Sequence, residues 1–279
     1  MTVVCCKLTV NQHPTTENRQ PKTDNLPAYA SQAGQQPTTE NRRQMTKKIA
    51  ITQPYIFPYL GYFQLVNAVD TFVFYDDVNF IKRGWINRNK ILVNGKEKLV
   101  SFPCIQASQN KLINEVEINL EDKAYSKFLQ TLEQSYSKAP NFEVVYKLIS
   151  NLFKQEHTSI ASLAAASCMS FSTYLDLNTK FTFSSKAFSS SKGMEKQNRL
   201  VVISKECNSS TYINAIGGLD LYKKEDFKKE NIDLFFLQPK LPEYTQLSNE
   251  FIPGLSIIDV LMMNSKEEVR QMLNQYELV

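Results

Sequence analysis

From Lys48 onward the chain alternates short β-branched and aromatic runs with segments of helical period, and this restricts it to α/β architectures. Ile49-Ala50-Ile51 reads as a buried strand stopped by Gln53-Pro54, because proline cannot continue a ladder. Residues 59–70 place Leu60, Phe63, Leu65, Val66 and Val69 at helical spacing. Residues 71–75 form a second strand that ends at Asp76-Asp77. Asn94-Gly95 separates two strands, 89–93 and 98–102, and supplies the positive backbone angles of a type I′ hairpin turn. Three helices follow over 121–137, 141–155 and 159–175, the first two parted by Pro140. Alternation then resumes, with strands at 180–183, 210–213 and 232–238 and helices at 195–206 and 224–229. Residues 255–276 read as helical, interrupted near Asn264. The pattern predicts a mostly parallel, Rossmann-like sheet with an inserted helical segment over about residues 121–176.

The first 44 residues do not share this pattern. Pro14-Thr15-Thr16-Glu17-Asn18-Arg19 recurs as Pro37-Thr38-Thr39-Glu40-Asn41-Arg42, and few large apolar residues lie between the copies. Such a segment cannot bury enough surface to offset its ordering entropy, so a disordered leader is expected, foreign to the folded part. Met45-Thr46-Lys47-Lys48 resembles a natural start, and residues 45–279 are expected to form the α/β domain.

Charge and side-chain inventory narrow the chemistry. The net charge of +4, without a concentrated basic stripe, speaks against nucleic acid as partner. No apolar run reaches the length of a membrane helix, and Met1 is not followed by a secretory signal. Five cysteines without CxxC spacing point to free thiols in a reducing cytoplasm rather than a disulfide framework. The two histidines, His13 and His157, lack the pairing of a zinc site and exclude any mechanism that needs two catalytic histidines in the folded part.

Candidate site residues cluster where strands end. Gln53, Tyr55, Tyr59, Gly61 and Tyr62 lie between the first strand and the first helix, where open α/β sheets bind ligands. A proline-pinned aromatic mini-core is the competing reading of the same tyrosines. Asp76 and Asp77 end the second strand; Lys82, Arg83, Asn87 and Arg88 surround the only tryptophan, Trp85. Cations beside an aromatic plate suit an anionic, planar ligand, although a self-neutralising solvated loop would look the same. Lys192, after a serine run, and Arg199 on the next helix form a third group, and Tyr212 and Asn214 before Gly217-Gly218 a fourth. Neither phosphate-binding glycine fingerprint is present.

The segments KIAITQPYIFPYLGYFQL, FVFYDDVNFIKRGWINRN, TYINAIGG and FIPGLSIIDVL, with the Lys192–Arg199 element, resemble the WbqC-like protein family, in order and along essentially all of 45–279. Members of that family often accompany genes for O-antigen and other bacterial surface polysaccharides. The resemblance therefore implies a cytoplasmic transferase of lipopolysaccharide assembly, passing an acyl or aminoacyl group to a nucleotide-linked amino sugar. It assigns no catalytic residues and no cofactor. In that scheme Lys82, Arg83 and Arg88 hold a diphosphate, Trp85 or Tyr55 stacks a ring, and Asp76 or Asp77 accepts the amine proton. Two alternatives remain open: a nucleotidylyltransferase-like enzyme, with tyrosines at the positions where that fold carries a histidine pair, and a non-catalytic nucleotide-sugar binder.

Overall fold

The structure, a computed structural model, describes residues 47–279; the expected leader, 1–44, lies outside them. In chain order the elements are β1 (Lys48–Thr52), α1 (Leu60–Asn67), β2 (Thr71–Phe74), β3 (Arg88–Val93) and β4 (Lys96–Ser101). Then come α2 (Lys123–Tyr136), α3 (Phe142–Leu152), α4 (Ile160–Tyr174), β5 (Lys180–Phe183), α5 (Ser184–Ala187) and α6 (Lys196–Glu206). The last are β6 (Thr211–Ala215), α7 (Lys224–Lys229), β7 (Asp233–Pro239), α8 (Ile257–Met263), α9 (Lys266–Met272) and β8 (Tyr276–Leu278).

Six strands make one sheet in the order β5-β2-β1-β6-β7-β8, parallel throughout except for the β7–β8 pair. Numbered by appearance within the sheet, this is 3-2-1-4-5-6, the strand order of the Rossmann fold. The expected α/β class with a mostly parallel sheet is what the chain adopts. Helices α2, α3 and α4 fall between β4 and β5, the stretch read as an insertion.

Alternate side chains on each strand feed two cores. Ala50, Phe72, Phe74 and Ile213 pack with residues of α1, α4 and α8 in the larger one. Ile49, Ile51, Val73 and Tyr212 face the other way, against Leu200 and Ile203 of α6 and Phe227 of α7. Burial on both faces is why these strands read as continuous apolar runs. The β3–β4 hairpin stands apart as its own sheet, turning at Asn94 (φ 52) and Gly95 (φ 70) between the paired Val93 and Lys96. This is the expected two-residue turn with both angles positive. Asp122 caps α2 by accepting from the Ala124 amide at 2.8 Å, and Ser159 and Ser265 cap α4 and α9.

One reading needs correction. The helical pattern over 255–276 does not run to Tyr276: α9 ends at Met272, and Tyr276–Leu278 becomes β8, antiparallel to Leu237–Pro239. The backbone groups of β7 would otherwise stand open on that side, and pairing satisfies them more fully than another helical turn would. Among the described residues no helix is long and apolar enough to cross a membrane.

Candidate functional site at the carboxyl edge of the sheet

In open α/β sheets the ligand crevice lies beyond the carboxyl ends of the strands, where the strand order reverses. Here that point falls between β1 and β6. Their pairing stops after Lys48–Thr211 and Ile49–Tyr212, yet β1 stays paired with β2 to Thr52 and β6 with β7 to Ala215. Past those pairs the two strands share no further ladder register, and the Tyr212 hydroxyl donates to the Ile51 carbonyl at 3.4 Å. Gln53 follows the end of β1, and Asn214 is the last residue but one of β6. The Asn214 carboxamide accepts from the Ala215 amide at 2.9 Å. Its other end lies so close to Gly218 that a Cβ there would overlap it, so a side chain at 218 would have to displace the Asn214 carboxamide.

The end of β2, next to β1, carries a buried polar cluster. Asp76 and Asp77 are 3% and 5% exposed. Asp76 Oδ1 accepts from the Ser185 amide at 3.0 Å, Asp76 Oδ2 accepts from the Ser185 hydroxyl at 2.6 Å, and the Ser184 hydroxyl, whose one proton is shared with Asp77, lies 3.1 Å from Asp76 Oδ1. Asp77 accepts from the Ser184 hydroxyl and, at 2.5 Å, from the Arg199 guanidinium. Arg199, itself buried on α6, also donates through Nε to Ser191 at 3.1 Å and lies 4.8 Å over the Tyr75 ring. Burial works against its charge, but the bond to Asp77 and the contact with Tyr75 outweigh burial and hold its pKa above the usual arginine value. Burial likewise pushes the Tyr75 phenol up, against the pull of Arg199. Asp77 is thus matched by a guanidinium, while Asp76 is held by Ser184 and Ser185.

Asp76, Asp77 and Arg199 are brought together, with Lys192 exposed on the loop that follows Ser191. Tyr55 and Tyr62 pack ring to ring at 5.6 Å; Tyr62 is buried, its hydroxyl donating to the Gln53 carbonyl at 3.0 Å. Burial raises both phenols, Tyr62 the more strongly. The Tyr59 ring covers Gly61, where any Cβ would overlap it. Tyr62 and Tyr212 are core residues whose hydroxyls close main-chain carbonyls, the packing reading of these aromatics.

The cations of the second segment are arranged differently. Trp85 is 41% exposed, with Arg88 at 5.7 Å and Lys90 at 5.9 Å from its ring. Arg88 also donates to the Gly84 carbonyl at 2.8 Å. Lys82, Arg83 and Asn87 line an open cleft of about 560 Å³ whose walls include none of Asp76, Asp77, Arg199 or Asn214. The Asn87 carboxamide is engaged there by the Phe102 carbonyl at 2.9 Å. Sequence reasoning missed Ser184 and Ser185. The available signal was their position directly after a strand, the same rule that picked out Asp76. Among the described residues, no three His, Cys, Asp or Glu side chains gather closely enough to hold a metal ion.

An open, mostly parallel α/β sheet of Rossmann order, with a carboxylate–guanidinium cluster at its carboxyl edge, defines the class of protein. Within that class the chain belongs to the WbqC-like protein family, whose family model matches residues 53–271. It is similar to the uncharacterized protein Rv1507c of Mycobacterium tuberculosis (strain ATCC 25618 / H37Rv). The two are 28% identical over 218 residues, 77% of this chain and 93% of that one. No solved structure matches the chain.

Proposed function

We propose that the protein is a cytoplasmic transferase of bacterial surface-polysaccharide (O-antigen) assembly, passing an acyl or aminoacyl group to the amine of a nucleotide-linked sugar, with no nucleic acid as partner. The observation that carries the reading is the buried carboxylate cluster at the carboxyl edge of the sheet, beside the reversal of strand order between β1 and β6. Sheets of this order bind nucleotides in that crevice. Gln53, Tyr55 and Asn214 would flank the nucleotide, with Lys192 approaching from the loop before α6.

An amine attacking an acyl carbonyl must lose a proton, and a nearby carboxylate can take it. Asp76 fits that role better than Asp77, because Asp77 is already engaged by the Arg199 guanidinium. Asp77 would then be a positioning residue that holds Arg199 and α6 against the sheet edge. The half-buried Ser185 hydroxyl stands on the Asp76 oxygen and would pass the proton inward.

Calorimetric titration with a panel of UDP- and dTDP-linked amino sugars tests binding, and Gly218→Ala tests the place. The added methyl displaces Asn214, so ~10-fold weaker binding is expected from a chain that still folds. Deleting the gene should change the N-substituents of the surface polysaccharide. An unchanged polysaccharide would remove the transferase reading.

A further inference from the structure

We infer a second binding site, for a phosphate-bearing ligand, in the cleft beside the turn at residues 81–84. Only the ligand's role, as the activated acyl donor, rests on the function proposed above; the site itself stands on its own geometry.

The turn is closed by the Gly84 amide donating to the Ile81 carbonyl at 3.1 Å. Its third residue, Arg83, has φ 59, where such turns ordinarily carry glycine. Successive side chains of an extended chain point to opposite sides. The left-handed residue cancels that divergence, and Lys82 and Arg83 line the same cleft. Among the described residues no carboxylate lies within 4.0 Å of either cation. Their neighbour Lys90, by contrast, is paired with Glu97 at 2.9 Å.

Two uncompensated positive charges on adjacent residues match a dianion. A phosphate offers that charge and enough acceptor oxygens for an ammonium and a guanidinium together; a carboxylate carries only half of it. Half-buried Pro103, Ala107 and Ala124, over the buried Phe80 and Phe102, make the other walls apolar and would receive the carbon body of the ligand. About 560 Å³ is within the range of small-molecule sites. Cys104 lies in the same wall, and burial pushes its thiol up to about 11, so its alkylation is slow and its rate reports whether the cleft is covered.

The experiment titrates the full chain with inorganic pyrophosphate at constant ionic strength. In parallel it follows iodoacetamide alkylation of Cys104 by peptide mass spectrometry, with half-buried Cys207 as internal control. Saturable one-to-one binding is expected, with Cys104 protected several-fold and Cys207 unaffected. Lys82→Ala and Arg83→Gly should each weaken binding by ~10-fold, the worth of one charge-assisted hydrogen bond. Arg83→Gly supplies the residue the turn favours, so its Tm should equal or exceed that of the parent, and a loss of binding there cannot be blamed on unfolding. Absent protection of Cys104, or pyrophosphate bound equally well by both variants, would overturn the site. Sugar nucleotides that bind in a Gly218-dependent way without pyrophosphate protection of Cys104 would leave the function standing and remove this inference. Protection without any sugar-nucleotide binding would do the reverse.

Discussion

Asp259 shows how much a single buried side chain can organise. It is fully buried on α8, and no cation is paired with it among the described residues. Instead it accepts from the Tyr136 hydroxyl at 2.8 Å, the Tyr244 hydroxyl at 2.6 Å and the Gln246 amide at 3.2 Å. Tyr136 in turn accepts from the Leu92 amide at 2.8 Å, so the carboxylate ties α8 to α2 and to the hairpin. Burial raises its pKa above 3.8, more than the phenol and amide bonds lower it. The folded chain therefore holds this proton more tightly than the unfolded one. That stability is full below the ordinary aspartate value and is lost as pH rises through the folded pKa. Asp259→Ala leaves two phenols and an amide without their acceptor and should cost roughly 3 kcal/mol in chemical denaturation. Asp259→Asn should cost less, and its deficit against the parent should shrink as pH rises from the ordinary aspartate value through the folded pKa, because only the parent loses stability there. A deficit independent of pH would mean that the carboxyl does not titrate in this range.

Among the elements, α6 has the least expected anchor. Its apolar residues Leu200 and Ile203 seat it on the sheet, but Arg199 fixes its start to Asp77 at the end of β2. Arg199→Ala would leave Asp77 buried without its counter-charge, a loss of roughly 3–5 kcal/mol by urea denaturation. Asp77→Asn removes the opposing charge, and the pair of variants should be far from additive because both act on one bond. An additive double variant would show that α6 is held by its apolar face alone. The serines of α5 belong to the same assembly: Ser184 touches both carboxylates, and Ser185 grips Asp76 by amide and hydroxyl.

At the scale of the whole molecule, the polar leader is expected to add nothing to the stability of the α/β part. A chain beginning at Met45 should melt at the same temperature as the full sequence, and a fall of several degrees would show that residues before Met45 dock. Most of the architecture was legible because its causes are local. Strand runs buried on both faces, Gln53-Pro54 as a stop, Asn94-Gly95 as a turn and the apolar period of α2 to α4 all act within a few residues. Strand ends were legible for the same reason, and Asp76, Asp77 and Asn214 were found by position. What chain-local cues could not reveal is partnership. Ser184 meets Asp77 across 107 residues and Arg199 across 122, and spacing along the chain carries no sign of either contact. The helical period of 255–276 concealed β8, because an edge strand takes its conformation from the strand beside it rather than from its own side chains. The sequence by itself determined the α/β class, the family and the segments that reach the carboxyl edge of the sheet. Only the tertiary structure decided that Asp77 is matched by Arg199, that Lys82 and Arg83 share one cleft, and that the strand order reverses between β1 and β6. Charges and hydrogen bonds act over a few ångströms in space, whatever the separation along the chain.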